Sequence, residues 1–460
     1  MVNDKLSKGD SLGGKISWWG VAAAAIGLVV ASTTFAGDFN GYGIAGPAYI
    51  IALIFGFALN FCVMVAYAEL TTMFPKSGQV YEFTKKGFIK NNRTLALLLA
   101  TGIGTTYWAM FGLTFASEMA AGAHAVVSTT GIGNVTMWIL LINVSGVGIN
   151  LLGLKPTVIA ETILVILMVG IRMFLGIGSI IGTSNLGVPN FSVFANFIPH
   201  GIAGIFAAGT LGVYAFIGLE LATPLVEEVK KPEKNIPKGM SVGVTVVLMM
   251  ALTMGIGIMT VFDPVTNQGT YTGNAPQIEI AGILFGTNGR LLAGVASLAA
   301  TTGSVIVSYA AIPRIIYAMA REGLWPEQFT WLHPRFETPW VAIFATTIVF
   351  LLPTLFSNQV VSLIDAATAV WLLVYIWVLG LAIKLRYTHP QVERPFSVHQ
   401  SVYIIGGLLI CLVLWQSYKG SYELIALALG IFALCFTFAG SWIRFGAAKT
   451  AIEAVEVSDD

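Results

Sequence analysis

Two acidic side chains stand inside long apolar stretches of this sequence, Asp38 near the N-terminus and Glu220 near the middle. A carboxylate within a membrane-spanning helix is costly, and such residues commonly mark a solute or proton pathway. Asp38 is a candidate partner for the amino group of a solute; alternatively, it caps a broken helix or faces water. Glu220 is a candidate for proton exchange as a cavity opens and closes; alternatively, it joins helix ends by hydrogen bonds.

Hydroxyl and aromatic residues accompany the acids. Tyr214 comes shortly before Glu220, and a flat aromatic ring at this place could close over a solute and stack on a cationic group. Ordinary aromatic packing is the alternative. A row of hydroxyl residues in a later apolar stretch has spacings of four, three and four: Ser297, Thr301, Ser304 and Ser308. These spacings put the row on one helix face, where it could line a pathway or bond neighbouring helices.

Arg172 also lies well inside an apolar stretch. An arginine at this depth needs an acid or water as a partner, and Asp365 and Glu118 are candidates. One hypothesis gives Arg172 a role in coupling, and the other lets its side chain reach the outer lipid headgroups. Tyr107 is a candidate pocket wall or an ordinary core residue.

Signatures of soluble enzymes and of metal sites are missing from the sequence. It contains no P-loop, HExxH or glycine-rich dinucleotide motif, and its 5 histidines have no metal-ligand spacing. A net charge of +1 provides no basic field for nucleic acid. We therefore predict no enzyme activity, cofactor, metal or nucleic-acid partner. A membrane-embedded enzyme is the less favoured alternative, and the sequence indicates no oligomeric state.

The elements that position these residues are apolar helices. Of the 460 residues, 56% are hydrophobic and only 10% are charged, against about 25% charged in soluble domains. Runs of about 20 apolar residues can cross a bilayer as helices. Twelve such segments are predicted, numbered 1–12 in chain order: 16–42, 47–72, 94–120, 134–153, 157–182, 199–228, 238–262, 290–320, 339–356, 360–384, 401–418 and 421–443.

The basic residues predict the orientation of these segments. If the chain crosses the membrane twelve times, 21 of its 24 Lys and Arg residues fall on one side, which we name the basic side. Positive residues concentrate on the cytoplasmic side of membrane proteins. Both termini are therefore predicted to be cytoplasmic, in a multi-pass protein of the cell membrane.

Segments 1 and 6 each read as a helix with an interruption. Segment 1 continues through 31–43 with small, hydroxyl and glycine residues, and segment 6 has the same character through 209–224. Irregular backbone at membrane depth is tolerated only where it lines protein or a watery cavity. Paired interruptions indicate a transporter site, where free N–H groups can hold a carboxylate and free carbonyls a cation. Close helix packing through glycine is the alternative.

Three stretches, 67–83, 216–238 and 314–326, together with a weaker one at 386–396, carry a recognisable pattern. They resemble the amino acid–polyamine–organocation (APC) permeases. The resemblance implies an all-α integral membrane protein with twelve helices and the leucine-transporter-like (LeuT-like) 5+5 inverted repeat, helices 1 and 6 being broken. It implies alternating access for amino acids, amines or related ions, driven by protons or by exchange. The glycine spacing of segment 1 also has some likeness to the ethanolamine-permease branch.

The resemblance places the family's helix 1 break, Gly-Ser/Thr-Gly, on Ala31, Ser32 and Thr33, where both glycines are replaced. Tyr214 takes the position of an aromatic gate, and 215–218 would supply backbone to the pocket. The predicted solute-contacting residues are Ala31, Ser32, Thr33, Asp38, Tyr107, Tyr214, Ala215, Phe216, Gly218, Ser304 and Ser308, and the predicted coupling or gating residues are Tyr214, Glu220 and Arg172.

We therefore predict a secondary active transporter for an amino acid, with protons as candidate co-transported ions. A transporter of another organic amine, such as ethanolamine or a polyamine, is the alternative. An intact row of amides would suit a carboxylate, whereas an acid such as Asp38 would suit an amine. The predicted parts are an N-terminal tail, 1–15, one transmembrane domain, 16–443, and a C-terminal tail, 444–460; the domain contains repeats at 16–182 and 199–384 and two extra helices at 401–443.

Overall fold

The computed structural model describes residues 16–445 except 77, 90–91 and 152–153. The predicted tail 1–15 and residues 446–460 of the other tail lie outside this part of the chain. The described residues form seventeen α-helices, joined by turns and short 3₁₀ helices. In chain order they are α1 (Trp18–Val29), α2 (Ser32–Ala45), α3 (Tyr49–Met73), α4 (Val80–Phe88), α5 (Arg93–Thr130), α6 (Val135–Leu151), α7 (Leu154–Ile180), α8 (Gly201–Ala207), α9 (Gly209–Tyr214), α10 (Pro232–Val261), α11 (Gln268–Tyr271), α12 (Pro276–Ala311), α13 (Pro313–Arg321), α14 (Trp340–Leu351), α15 (Val360–Thr388), α16 (Ser401–Gly420) and α17 (Tyr422–Phe445).

Every predicted segment coincides with helix. Within the described chain, eight helical stretches are long and apolar enough to cross a membrane, and four more apolar helices of 10–17 residues are shorter. This confirms an all-helical, multi-pass membrane protein. The segment boundaries were less accurate: α12 begins at Pro276 rather than at residue 290, and its helix bends at Phe285 and Gly286.

Both interruptions that the sequence predicts are present. In segment 1, α1 ends at Val29 and α2 begins at Ser32, so that Val30 and Ala31 form the segment-1 interruption. In segment 6, α9 ends at Tyr214, and the segment-6 interruption, 215–218, leads into a 3₁₀ helix, Leu219–Glu228. Gly218 has φ +111°, a value that favours glycine and turns the chain sharply.

Contacts between connecting loops fall into two groups. The first group involves the chain before segment 1 and the chain after segments 2, 6 and 8: the Ile16 N–H donates to the Glu228 carbonyl over 2.9 Å, and Lys85 pairs with Glu322. The other group joins the end of segment 1 to the loop after segment 7, because Asn40 and Gly273 exchange hydrogen bonds of 2.9 Å. Alternate loops thus meet at opposite ends of the helices.

Glycine allows two pairs of helices to approach closely. A side-chain carbon built on Gly56 of α3 would lie 2.0 Å from the carbonyl oxygen of Gly212 in α9. One built on Gly176 of α7 would lie 2.6 Å from the Cα of Met254 in α10. Small residues at such crossings bring membrane helices into backbone contact. The α3–α9 crossing fixes the position of the short helix that precedes the segment-6 interruption.

Candidate functional site

The N-terminus of α2 is capped by a side chain from α5. The Glu118 carboxylate accepts hydrogen bonds from the N–H groups of Ser32, over 2.8 Å, and Thr33, over 3.0 Å. It also accepts from the Thr33 hydroxyl, over 2.7 Å, and from the Thr301 hydroxyl of α12, over 2.8 Å. Glu118 is 1% exposed. Backbone amides that a break leaves without partners are therefore satisfied by the protein's own acid.

A basic side chain occupies the other face of the segment-1 interruption. Nη2 of Arg172 donates to the carbonyl oxygen of Ala31 over 2.6 Å, and Nη1 lies 3.3 Å from the hydroxyl of Thr34. The guanidinium also stacks over the ring of Phe35, 4.3 Å from its centre. Arg172 is fully buried. The hypothesis that it reaches the lipid headgroups is therefore wrong.

A small cavity of about 20 Å³ lies between the two interruptions. Residues of segment 1, segment 6, α5 and α12 line it: Val29, Ala31, Thr33, Thr34, Thr114, Phe115, Glu118, Tyr214, Ile217 and Ser304. The Tyr214 hydroxyl lies 3.1 Å from that of Ser117 and holds the ring against α5. A space of this size fits about one water molecule, so a solute of several heavy atoms does not fit in it.

Asp38 lies beyond this cavity, further along α2. It is 2% exposed, and its Oδ1 accepts a hydrogen bond of 3.3 Å from the Tyr49 hydroxyl. It also interacts electrostatically with Arg172. The structure thus places Asp38 about two helical turns beyond the segment-1 interruption, outside the cavity wall.

Glu220 lies in a separate cluster with three tyrosines. Its Oε2 accepts a hydrogen bond of 3.1 Å from Tyr375 of α15, and the electrostatic neighbours of the carboxyl include Tyr67 and Tyr107. Among the described residues, Glu220 Oε1 has no hydrogen-bond partner. Its backbone carbonyl accepts from the Gln79 side chain over 3.0 Å. The cluster therefore ties segment 6 to α15 and to Gln79 through a buried glutamate.

The remaining predicted site residues divide into two groups. Ile217 lines the cavity at the segment-6 interruption, and the predicted Ala215, Phe216 and Gly218 flank it. Tyr107 lies instead in the Glu220 cluster, and its ring packs edge-on against Trp371, 5.8 Å between centres.

The row of hydroxyls on α12 divides in the same way. Ser304 lines the cavity, and Thr301 binds Glu118. Ser308 donates to the Ser304 carbonyl over 2.6 Å within its own helix. Ser297 accepts from Gln277 over 3.2 Å. The row therefore bonds a neighbouring helix at Thr301 and lines the cavity at Ser304, and its role in a pathway stays a prediction.

Glu118 is the principal site residue that sequence reasoning missed, since it was named only as a candidate partner of Arg172. The signal was available: an acid late in an otherwise apolar segment, in which the family's glycines at 31 and 33 are replaced. What it binds depends on how α5 crosses segment 1, which the sequence does not show. No group of three or more His, Cys, Asp or Glu residues suited to a metal occurs in the described chain.

Ion pairs join residues that the sequence assigns to the predicted basic side. Glu69 of α3 is fully buried and accepts from Arg386 over 2.6 Å and from Arg394 over 2.7 Å. Lys85 of α4 pairs with Glu322, just beyond α13, over 2.7 Å. Burial acts to raise the pKa of Glu322, but the charge and hydrogen bond of Lys85, the Tyr81 hydroxyl and the Lys76 charge together hold the pKa below its ordinary value.

The geometry of a broken-helix site inside a helical membrane protein agrees with the comparison with known proteins. A family model described as amino acid permease matches residues 16–445. The chain belongs to the amino acid permease family. This membership confirms the resemblance to the APC superfamily and makes the protein a membrane transporter rather than an enzyme.

Characterised relatives of the permease span most of its length. The branched-chain amino acid permease BcaP of Bacillus subtilis is 26% identical over 412 residues, which cover 85% of this chain and 84% of the relative. The methylthioribose transporter of Bacillus subtilis is 26% identical over 445 residues, 90% of each chain. The vacuolar cationic amino acid transporter 2 of Arabidopsis thaliana is 25% identical over 419 residues, 85% of this chain and 61% of the relative.

Proposed function

We propose that the permease is a secondary active transporter that moves an amino acid, or a related small amine, across the plasma membrane by alternating access. The observation that carries the proposal is that both interruptions line one buried cavity, Ala31 and Thr33 from segment 1 and Tyr214 and Ile217 from segment 6. Irregular backbone at membrane depth is tolerated where it lines such a cavity.

In this proposal the chain crosses the membrane twelve times, with both termini cytoplasmic and the basic side facing the cytoplasm. The two groups of loop contacts support this arrangement, because loops that alternate along the chain meet one another at opposite ends. The tails 1–15 and 444–460 would lie in the cytoplasm.

Helix packing supports a LeuT-like repeat of 16–182 and 199–384, followed by two extra helices. Segment 1 packs on segment 7 through α1 and α10, and segment 6 packs on segment 2 through α9 and α3. Segment 5 packs on segment 8 through α7 and α12, and segment 10 on segment 3 through α15 and α5. If each segment is replaced by its counterpart five positions away, the pair 1 and 7 becomes the pair 6 and 2, and the pair 5 and 8 becomes the pair 10 and 3. Two structurally related halves of five segments require such matched contacts.

The small volume of the cavity supports alternating access. A solute of several heavy atoms does not fit in about 20 Å³, so groups around the cavity must move before it can enter or leave. Tyr214 is the proposed gate, because its hydrogen bond to Ser117 holds the ring across the cavity between segment 6 and α5. Ser32, Ser304 and the backbone at 215–218 would contact the solute.

Proton coupling is proposed for Glu220. Among the described residues, the buried Oε1 has no hydrogen-bond partner and could take up a proton. Because Oε2 is bonded to Tyr375 of α15, the surroundings of this carboxyl change if segment 6 moves against α15. Arg172 would act in coupling by holding the end of α1 through Ala31. Movement of α1 would break this bond and expose a buried charge.

Two solute classes fit the proposal. The family and the relative named for branched-chain amino acids favour an amino acid. The acids Asp38 and Glu118 beside the segment-1 interruption favour an amine without a carboxylate, such as ethanolamine or a polyamine.

The experiment is uptake of radiolabelled amino acids and amines by proteoliposomes that contain the full-length permease, with and without an imposed pH gradient. We expect saturable uptake of at least one member and counterflow from loaded liposomes. Protein-free liposomes are the control. If Asp38→Asn does not affect the uptake of zwitterionic amino acids, Asp38 does not bind the solute. If no amino acid or amine of the panel is transported, the proposed function is contradicted.

A further inference from the structure

We propose that Glu118 holds the place of a solute carboxylate at the N-terminus of α2, so that the permease selects amines that carry no carboxylate beside the amino group. The inference rests on the proposed function, because it names the solute class of the same site. It assigns a specificity-determining role to a residue outside both interruptions.

The first step is that the anion site is already filled. A helix N-terminus offers N–H groups and a positive partial charge to an anion, and α2 directs its first two N–H groups to Glu118. A carboxylate has about four lone-pair positions. Glu118 uses four, two for these amides and two for the hydroxyls of Thr33 and Thr301.

The charges around the segment-1 interruption also favour an amine. Among the described residues, Glu118 binds the start of α2, Arg172 binds the end of α1, and both Glu118 and Asp38 interact electrostatically with Arg172. An added ammonium group is attracted to Glu118. An added carboxylate instead meets a carboxylate that already accepts four hydrogen bonds, and like charges placed together cost affinity.

The third step is the consequence of displacement. An amino acid could use the amides of Ser32 and Thr33 only if Glu118 left them. Glu118 would then lose up to four hydrogen bonds while it remained buried at a cavity of about 20 Å³. A buried carboxylate without partners is strongly unfavourable. A decarboxylated amine requires no such exchange.

The test compares amino acids with their decarboxylated amines, so that each pair differs only in the carboxylate: serine with ethanolamine, leucine with 3-methylbutylamine, and lysine with 1,5-diaminopentane. Binding to the purified full-length permease is measured by ligand-dependent thermal stabilisation, and transport by competition for uptake in proteoliposomes. We expect the amine of the best pair to bind at least about tenfold more tightly than its amino acid. An amino acid that binds as tightly as its amine, or more tightly, overturns the inference and leaves the proposed function intact. Binding and transport of neither class overturns both.

Variants then test Glu118 itself. Glu118→Gln keeps the size of the side chain but removes its charge, so we expect the preference for the amine to fall at least about tenfold and amino acid binding to rise. Glu279→Gln, an exposed acid of α12, is the matched control and should keep the wild-type preference. Thr301→Val removes one hydrogen-bond donor to Glu118 and should also lower the preference for the amine. This variant provides a second test if Glu118→Gln does not fold. An unchanged preference in the folded variants overturns the inference.

Discussion

At the scale of single residues, the segment-1 interruption is stabilised by charges that match the helix ends. Arg172 binds the Ala31 carbonyl at the end of α1, and Glu118 binds the first amides of α2. These signs complement the partial charges of helix ends. Val30 and Ala31 keep negative φ values, −81° and −80°, so this break needs no glycine. That explains how the family's two glycines can be replaced here.

Removal of the Arg172 charge should weaken the fold. Arg172→Gln removes the buried cation that binds the Ala31 carbonyl and interacts with Asp38 and Glu118, and a hydrogen bond to a charged group contributes about 1.5–3 kcal/mol. We expect a clear fall in melting temperature, partly recovered in Arg172→Lys. Arg290→Gln is the control, because Arg290 is exposed. Equal melting temperatures for the Arg172 and Arg290 variants would refute the assignment.

The second prediction concerns Glu220. Glu220→Gln cannot release a proton, so we expect uptake driven by a pH gradient to be lost while solute exchange across liposomes is retained. Both rates are measured on the same preparation, with Glu327→Gln, an exposed acid, as the control. Unchanged pH-driven uptake would show that Glu220 only joins segment 6 to α15.

The ion pair of Lys85 and Glu322 predicts a pH dependence of stability. Because the pKa of Glu322 is lower in the folded protein than in the unfolded chain, the pair stabilises the fold above the unfolded-state pKa, and this contribution is lost as the pH falls through the folded-state pKa. Glu322→Gln should lower the melting temperature at pH 7 modestly, because a partly exposed pair contributes less than about 1 kcal/mol to the free energy of unfolding. The difference from wild type should shrink below the ordinary glutamate value of 4.5. A difference that stays constant with pH contradicts the pairing.

At the scale of helices, the apolar segments were predicted more reliably than the elements between them. α4 was not predicted, because its Lys85 and Lys86 interrupt the hydropathy although Val80, Tyr81 and Phe83 are buried. A span is recognised by continuous apolar character. A short helix with one buried face does not have this character.

Helix crossings through glycine provide a prediction at this scale. An alanine at 176 would place a methyl group 2.6 Å from the Cα of Met254 and 2.7 Å from the carbonyl of Thr253. Backbone atoms cannot yield as a flexible side chain can, so α7 and α10 must separate. We expect Gly176→Ala to destabilise the permease by about 1–3 kcal/mol.

Gly170 provides the matched control on the same helix. A carbon built on it meets nothing within 4 Å, so Gly170→Ala should leave the melting temperature unchanged or raise it slightly, because alanine favours helix. If both alanine variants melted alike, the α7–α10 crossing would not depend on glycine.

At the scale of the whole molecule, twelve crossings predict which loops share a side. Gln268, after segment 7, and Gln328, after segment 8, are both exposed. With Cys62, Cys411 and Cys435 replaced by serine, we expect Gln268→Cys to react with an impermeant maleimide in intact cells. Gln328→Cys should react only after the membrane is opened. Labelling of both variants from the same side would contradict the proposed topology.

The tertiary structure also explains why separate stretches of the family pattern occur together. Glu69, from the stretch 67–83, binds Arg386 and Arg394, from the stretch 386–396. Glu322, from the stretch 314–326, binds Tyr81 of the stretch 67–83 and Lys85, which follows that stretch. The patterns lie far apart along the chain and form two ion clusters on the basic side.

The sequence by itself determined that this protein is a helical membrane transporter, where its apolar segments lie and where two of them break. These properties depend on composition, apolar length and local small or polar residues, all of which act within a short stretch of chain. Only the tertiary structure decided the partners of the buried charges. Glu118 lies 86 positions from Ser32, and Arg172 lies 141 from Ala31. Hydropathy carries no information on which helix faces meet, so the filling of the α2 N-terminus by the protein's own acid emerged only from packing.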